Sequence, residues 1–165
     1  MLDSPEFLRG RNGEQIVARW LQERGWHIVP SYDYSGQLGD KAPRLQGAHV
    51  GYVIPDLDVA KDGMRFWAEV KLKKFPTLHR NTNTLEHGIS LRLYKNYLRV
   101  QSITGTPVGV FVLEEADGFL LGASFEELGE PRYYDGDKMD RGGTVFWPRE
   151  KFEVLDRILI PATPS

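Results

Sequence analysis

The apolar positions of this chain switch between a helical and a strand period, and glycine, proline or a polar run bounds each switch. Ile16, Val17, Trp20 and Leu21 recur at the spacing of one helix face. Ser4, Pro5 and Glu6 offer an N-cap, a first-turn proline and an early acid, and Gly25 a stop, so the spacing predicts a helix between them. Extending the face of Val17 and Leu21 backwards reaches Gly13 and Glu14, which puts Glu14 at the margin of the apolar stripe. It reads either as a site acid or as a helix-end acid answering the dipole or Arg11. Gly10 and Gly13 are costly in a helix interior: either the helix begins only near Gly13, or backbone packs or binds closely there. Residues 26–32 read as a first strand, and residues 33–51 as a long polar connection that includes Lys41 and Arg44. A connection of that length in a compact domain tends to be functional; the expectation is a substrate-contacting flap, the alternative a merely mobile loop.

Strands are expected near 52–60 and 64–73. In the second of these Met64, Phe66, Ala68, Val70 and Leu72 alternate with Arg65, Trp67, Glu69, Lys71 and Lys73, which predicts one core face and one polar face. Residues 75–87 read as a loop. A second helix is predicted over 90–104, ended by Thr104-Gly105-Thr106-Pro107. Residues 108–113 are nearly all apolar, as in a buried strand, and a helix between two strands makes a crossover to a parallel neighbour. Beyond lie a hairpin strand at 119–124, a helical turn at 125–129, an acidic glycine-rich loop at 133–143, an edge strand at 144–148 and a short amphipathic helix through Phe152, Leu155 and Ile158. The pattern is that of one mixed α/β domain over 1–165, with a core of about 5–114 in the order α-β-β-β-α-β and a C-terminal β/α extension over 115–165.

One local signal carries chemistry. Asp62-Gly63 between two patterned runs predicts a two-residue hairpin turn. Lys61 then pairs with Met64, and the same register sets Asp56 opposite Glu69. Directly opposed residues share a face, with Cβ atoms about 4.5–5.5 Å apart, and Lys71, two positions on, shares it too. Like charges in opposed positions destabilise a sheet, so a cation should compensate. Two hard oxygen donors this close suit a divalent ion such as Mg²⁺, which one or two carboxylates usually hold while water and substrate phosphate complete its octahedron. The plainer alternative is a solvated edge hairpin.

Composition narrows the context. The 165 residues include no cysteine, which excludes disulfides and thiolate metal sites. With no apolar run long enough to span a bilayer and no signal-like start, a cytoplasmic protein without a membrane segment is expected. The net charge of −2 conceals an asymmetry: residues 71–99 carry +6 and residues 114–140 carry −7, with histidine neutral. A basic stretch that begins at the carboxylate pair is what a polyphosphate substrate would meet. Lys41, Arg44, Lys73, Lys74 and Arg80 are the candidate nucleic-acid contacts. His27, His49, His79 and His87 lack the spacing of metal ligands, although His79 or His87 is placed to touch phosphate.

Pro55-Asp56 on the second strand, Glu69-Val70-Lys71 on the third and Glu14 on the first helix resemble the PD-(D/E)xK nuclease superfamily, which includes restriction endonucleases and archaeal Holliday junction resolvases. The resemblance covers about 5–114. It implies a restriction-endonuclease-like core and metal-dependent hydrolysis of phosphodiester bonds in nucleic acid, DNA first, with Mg²⁺ or Mn²⁺ as cofactor. It implies that Asp56 and Glu69 ligate the metal, with the Val70 carbonyl completing the protein ligands. Lys71 would then orient or deprotonate the attacking water and stabilise developing charge, and Glu14 would reach the metal directly or through water. Many members cut as homodimers. Tyr94, Tyr97 and Gln101 stand on the second helix, where some members place a tyrosine or glutamine near the site; for the tyrosines core packing is the better reading. Two alternatives remain: a non-catalytic nucleic-acid-binding or accessory subunit that keeps the fold, and a protein-interaction module built on the acidic 114–140 segment.

Overall fold

In the computed structural model the described residues are 5–30, 43–136 and 142–158; of residues 5–11 and Pro30 only the backbone is described. The chain opens with α1 (Pro5–Gln22), and Gly25, in the left-handed region at φ 89°, turns it into β1 (His27–Pro30). A short hairpin follows, of β2 (Arg44–Gln46) and β3 (Gly51–Val53). Next come β4 (Leu57–Lys61), β5 (Met64–Lys73), β6 (Thr77–His79) and β7 (Thr84–Ser90). They lead into α2 (Leu91–Thr104), β8 (Val108–Glu114), β9 (Phe119–Ser124) and the one-turn helix α3 (Phe125–Leu128). The chain then adds β10 (Arg132–Tyr134), β11 (Thr144–Pro148), a 3-10 turn at Arg149–Lys151 and β12 (Glu153–Arg157).

Six strands make one mixed sheet, in the order β1-β4-β5-β8-β9-β12. β5 and β8 are parallel, from Trp67 beside Val108 to Lys73 beside Glu114, and the other neighbours are antiparallel. α2 is the crossover this parallel pair needs. Its ends are well made: the Ser90 hydroxyl accepts from the Leu93 N–H at 3.1 Å, and Gly105 closes it at φ 68°. The expected mixed α/β order of helix, three strands, helix and strand is present, with the β2-β3 and β6-β7 hairpins inserted.

Each face of the main sheet has its own core. Val17 and Leu21 of α1 pack with Leu57, Val59, Ala68, Val70, Leu113 and Leu120. On the opposite face Tyr97 and Val100 of α2, with Ile89, Val145 and Trp147 of a second sheet, pack against Trp67, Val108, Val110 and Val112. This corrects the reading of β5 as a strand with one polar face. Trp67 and Glu69 belong to that face and are only 7% and 2% exposed, because α2 and the second sheet cover it. Gly13 resolves the question posed by the helix glycines. The helix runs through it, and a Cβ there would lie 3.3 Å from the Leu72 Cβ, so glycine lets α1 settle directly on β5.

Four further expectations are corrected. Residues 75–87 are not simply a loop; they form most of the β6-β7 hairpin of a four-stranded antiparallel sheet, ordered β10-β11-β7-β6. Residues 144–148 are not an edge strand, since β11 lies between β10 and β7. Residues 152–158 form no helix: β12 pairs with β9, and a register shift between Val154 and Asp156 inserts Leu155. That extra residue gives apolar positions the three-residue spacing that imitates a helix. The second expected strand is also broken, into β3 and β4, at Ile54-Pro55-Asp56.

Candidate active site

The site begins with the turn. Asp62 and Gly63 both have positive φ, 48° and 82°, as a primed two-residue hairpin turn demands. The register is the expected one from Lys61 opposite Met64 to Leu57 opposite Ala68. One residue before the ladder the chain bends at Asp56, after a proline that has no N–H to give. Asp56 therefore does not continue the pairing. Its Oδ2 accepts the Val70 N–H at 2.8 Å instead, which pins the carboxylate over β5 beside Glu69.

Glu69 occupies the centre of the sheet, between β4 and β8, on the face that α2 covers. The Tyr97 hydroxyl donates to its Oε2 at 2.5 Å, and the Lys71 ammonium lies 2.7 Å from its Oε1. A buried carboxylate is tolerated only when its lone pairs are met, and here one oxygen meets a neutral donor and the other a cation. Asp56 is 7% exposed. Burial, then the negative charges of Glu69 and Glu14, push its carboxyl well above the usual range, against the pull of the Val70 N–H and Lys71. Burial opposes the charged form of Lys71, but Glu69, Asp56 and Glu14 outweigh it and raise its pKa, so Lys71 is an ammonium at neutral pH. Glu14, half-buried on α1, thus joins the group through its field.

These groups suit a divalent cation in one respect and limit it in another. Three mutually repelling acids with a single lysine make a place where added positive charge is favourable. Among the described residues, however, no three His, Cys, Asp or Glu side chains stand close enough to form a ligand set by themselves. An ion such as Mg²⁺, which keeps several waters, asks for only one or two carboxylates; a cage built wholly from side chains is not present among the described residues.

The fold has a counterpart among solved structures. The chain is similar in fold to an archaeal Holliday junction resolvase. That protein, Hjc from Archaeoglobus fulgidus, an archaeal hyperthermophile, superposes with a TM-score of 0.53 over 87% of this chain and 91% of its own, at 14% identity. The likeness is one of fold, and the fold is the one that the PD-(D/E)xK resemblance implies. A nuclease from a fusselovirus aligns with a TM-score of 0.45, at 12% identity, over 94% of this chain and 89% of its own. No family model and no curated protein sequence matches the chain.

Within this resolvase-like fold the remaining candidates scatter. Lys73 ends β5 and Lys74 follows it, both exposed. Arg80 is exposed in the β6-β7 turn, and Arg44 is exposed on β2, reaching the Gly51 carbonyl at 3.4 Å. Lys41, and with it most of the expected flap, lies outside the described residues. His87 is buried against Glu114, 2.8 Å away, and is structural; His79 bonds Thr82 within its own turn. Tyr94 is a core residue, edge-on to Phe125 and Trp147, and Gln101 serves the backbone by accepting from the Val108 N–H at 2.9 Å. Tyr97 is the residue that sequence reasoning undervalued. It packs in the core as expected, yet a buried tyrosine hydroxyl needs a partner, and here the partner is Glu69.

Proposed function

We propose that the chain is a metal-dependent nuclease that hydrolyses phosphodiester bonds in nucleic acid, with DNA as its substrate. The observation that carries this reading is the convergence of Asp56, Glu69 and Lys71 in a fold shared with a Holliday junction resolvase. Asp56, Glu69 and the Val70 carbonyl would hold Mg²⁺ or Mn²⁺. Bound there, the ion supplies an activated water and neutralises charge that develops on the phosphate. Lys71, already charged, donates to that phosphate rather than taking a proton from water. Tyr97 holds the Glu69 carboxylate in orientation, and Glu14 adds negative field or a water-mediated contact. Lys73, Lys74, Arg80, Arg44 and Lys41 serve the nucleic-acid backbone.

The whole 1–165 chain acts as one domain in this reading, because β9 and β12 of the C-terminal extension complete the main sheet. A dimer would bring two such sites to two strands. Among the described residues no helix is long and apolar enough to cross a membrane, in keeping with action on DNA in the cytoplasm. A second reading, a non-catalytic nucleic-acid-binding subunit, draws on the closed arrangement in which Lys71 and Tyr97 already engage both Glu69 oxygens.

Incubating plasmid, linear duplex, single strands and a four-way junction with Mg²⁺ or Mn²⁺ separates the two. The nuclease reading expects cleavage of at least one substrate, abolished in Asp56→Asn and Lys71→Ala, and calorimetric Mn²⁺ binding that Asp56→Asn removes. Cleavage by both variants at the wild-type rate, or no cleavage and no Mn²⁺ binding by the wild type, would refute it.

A further inference from the structure

The second sheet turns Val145 and Trp147 toward the core, so Phe146 between them faces outward. Opposite Phe146 stand Arg132 on β10 and Gly88 on β7, and Tyr134 shares the same face two residues on. With His79 and Arg80 of the β6-β7 hairpin these side chains line an open cleft of about 600 Å³ that the proposed catalytic group does not use. The face is built rather than incidental. A Cβ on Gly88 would lie 2.7 Å from the Phe146 ring, so glycine makes room for that ring to lie against the strand. Arg132 stands 5.0 Å from the ring centroid, and Glu86, buried beneath, fixes the guanidinium through Nε at 3.2 Å and Nη2 at 2.6 Å. The Tyr134 ring meets Phe146 edge-on at 6.5 Å and is 47% exposed.

The chemistry points to one kind of occupant. Aromatic faces beside arginines on an antiparallel sheet offer stacking surfaces for bases and charge for phosphates. Among the described residues two arginines and no acid line the cleft, and with Glu86 paired to Arg132 the group keeps a net positive charge, carried by Arg80. A duplex keeps its bases stacked on each other, so only a strand with bases out of the stack can use the rings. The location fits as well. β6 follows β5, which bears Lys71, with the exposed Lys73 and Lys74 on the link, and β7 runs into α2, which bears Tyr97.

We propose that this face binds unpaired nucleotides, with bases on Tyr134 and Phe146 and phosphates on Arg80 and Arg132. The proposal deepens the nucleic-acid reading above and rests on it. The test is fluorescence anisotropy of an oligothymidine single strand and a blunt duplex, in EDTA so that nothing is cut. Tyr134→Ala should weaken single-strand binding about tenfold while duplex binding stays within about twofold, and Tyr134→Phe, which keeps the ring, should restore it. Arg80→Ala should lower the salt slope for the single strand by roughly 0.7. Equal loss on both nucleic acids, single-strand binding by Tyr134→Ala at wild-type strength, or no single-strand binding by the wild type, as for a face that receives a protein, would overturn the proposal. Cleavage of duplex by a wild type whose Tyr134→Ala variant binds single strands normally sinks this inference alone. Ring-dependent single-strand binding by a protein that cuts nothing supports it and sinks only the catalytic reading.

Discussion

Replacing Tyr97 by phenylalanine deletes a single oxygen from the centre of the molecule. The ring stays packed among its core neighbours, so no cavity opens. What disappears is the hydrogen bond to Glu69 Oε2, a neutral donor to a carboxylate that is 2% exposed. A hydrogen bond to a charged group contributes about 1.5–3 kcal/mol. Because Lys71 still holds Oε1 at 2.7 Å, the carboxylate is not stranded, and the lower half of that range applies. At roughly 2–4 °C per kcal/mol for a chain of this size, the melting temperature should fall by roughly 3–9 °C. The functional effect should be larger than the thermal one. A group that orients a metal ligand without touching the metal is typically worth about 10–100-fold in metal affinity or activity, and Tyr97→Phe should raise the Mn²⁺ requirement for cleavage by a factor in that range. Circular dichroism melts and cleavage rates over a Mn²⁺ titration measure the two effects together. A Tyr97→Phe protein with the wild-type melting temperature and Mn²⁺ requirement would show that the hydroxyl neither stabilises nor orients Glu69.

Two other perturbations test the electrostatics. The Asp56 carboxyl is raised above its ordinary value by burial and by Glu69 and Glu14, so the native state keeps a proton that the unfolded chain releases, and stability falls as pH rises through that window. Metal-free Asp56→Asn, which retains an acceptor for the Val70 N–H, should melt above the wild type at pH 8, by ~2–4 °C for each kcal/mol relieved, and should lose this advantage near pH 4; a lower melting temperature at pH 8 would show that burial does not penalise the carboxylate. Arg149→Met leaves the buried Glu114 to His87 alone, since Arg149 otherwise grips both carboxylate oxygens at 2.6 to 3.1 Å. Breaking a buried pair costs about 3–5 kcal/mol, the low end applying to a partly exposed arginine, so urea unfolding should show a loss of ~3 kcal/mol, and a loss under ~1 kcal/mol would contradict the assignment. The same cluster sets an acid limit. Burial lowers the His87 pKa, so its stabilising effect holds above 6.5 and fades as pH falls below. Burial opposes the Glu114 carboxylate, but Arg149 and His87 outweigh it and hold its pKa below 4.5, so its contribution too is lost on acidification.

What could be read from the sequence was what is local. Asp62-Gly63 specifies its turn by backbone conformation alone and the turn specifies the register, which runs to Leu57 opposite Ala68; beyond it the chain bends, and the Val70 N–H, not a ladder pair, brings Asp56 to Glu69. Ser90, Gly105 and the stripe between them likewise bounded α2, and the apolar run after it was β8. The second sheet was not legible because its pairings are distant: Ile89 meets Val145 and Glu86 meets Pro148, about sixty residues apart, while Asn81, Thr82 and Asn83 signal a loop. β12 imitated a helix because the extra residue at Leu155 changed the apolar spacing. Glu69 illustrates the general difficulty. Alternation showed which face it was on, but not that α2 would cover that face, and without the cover Tyr97 had no visible reason to meet it.

Every catalytic role assigned to this site depends on a divalent cation held by Asp56 and Glu69. Diffraction from crystals grown with Mn²⁺, recorded where manganese scatters anomalously, tests it directly. An anomalous peak is expected between the two carboxylates, within bonding distance of the Val70 carbonyl, with the Lys71 ammonium drawn back from Glu69. No peak there, with Lys71 and Tyr97 still bound to Glu69, would contradict it.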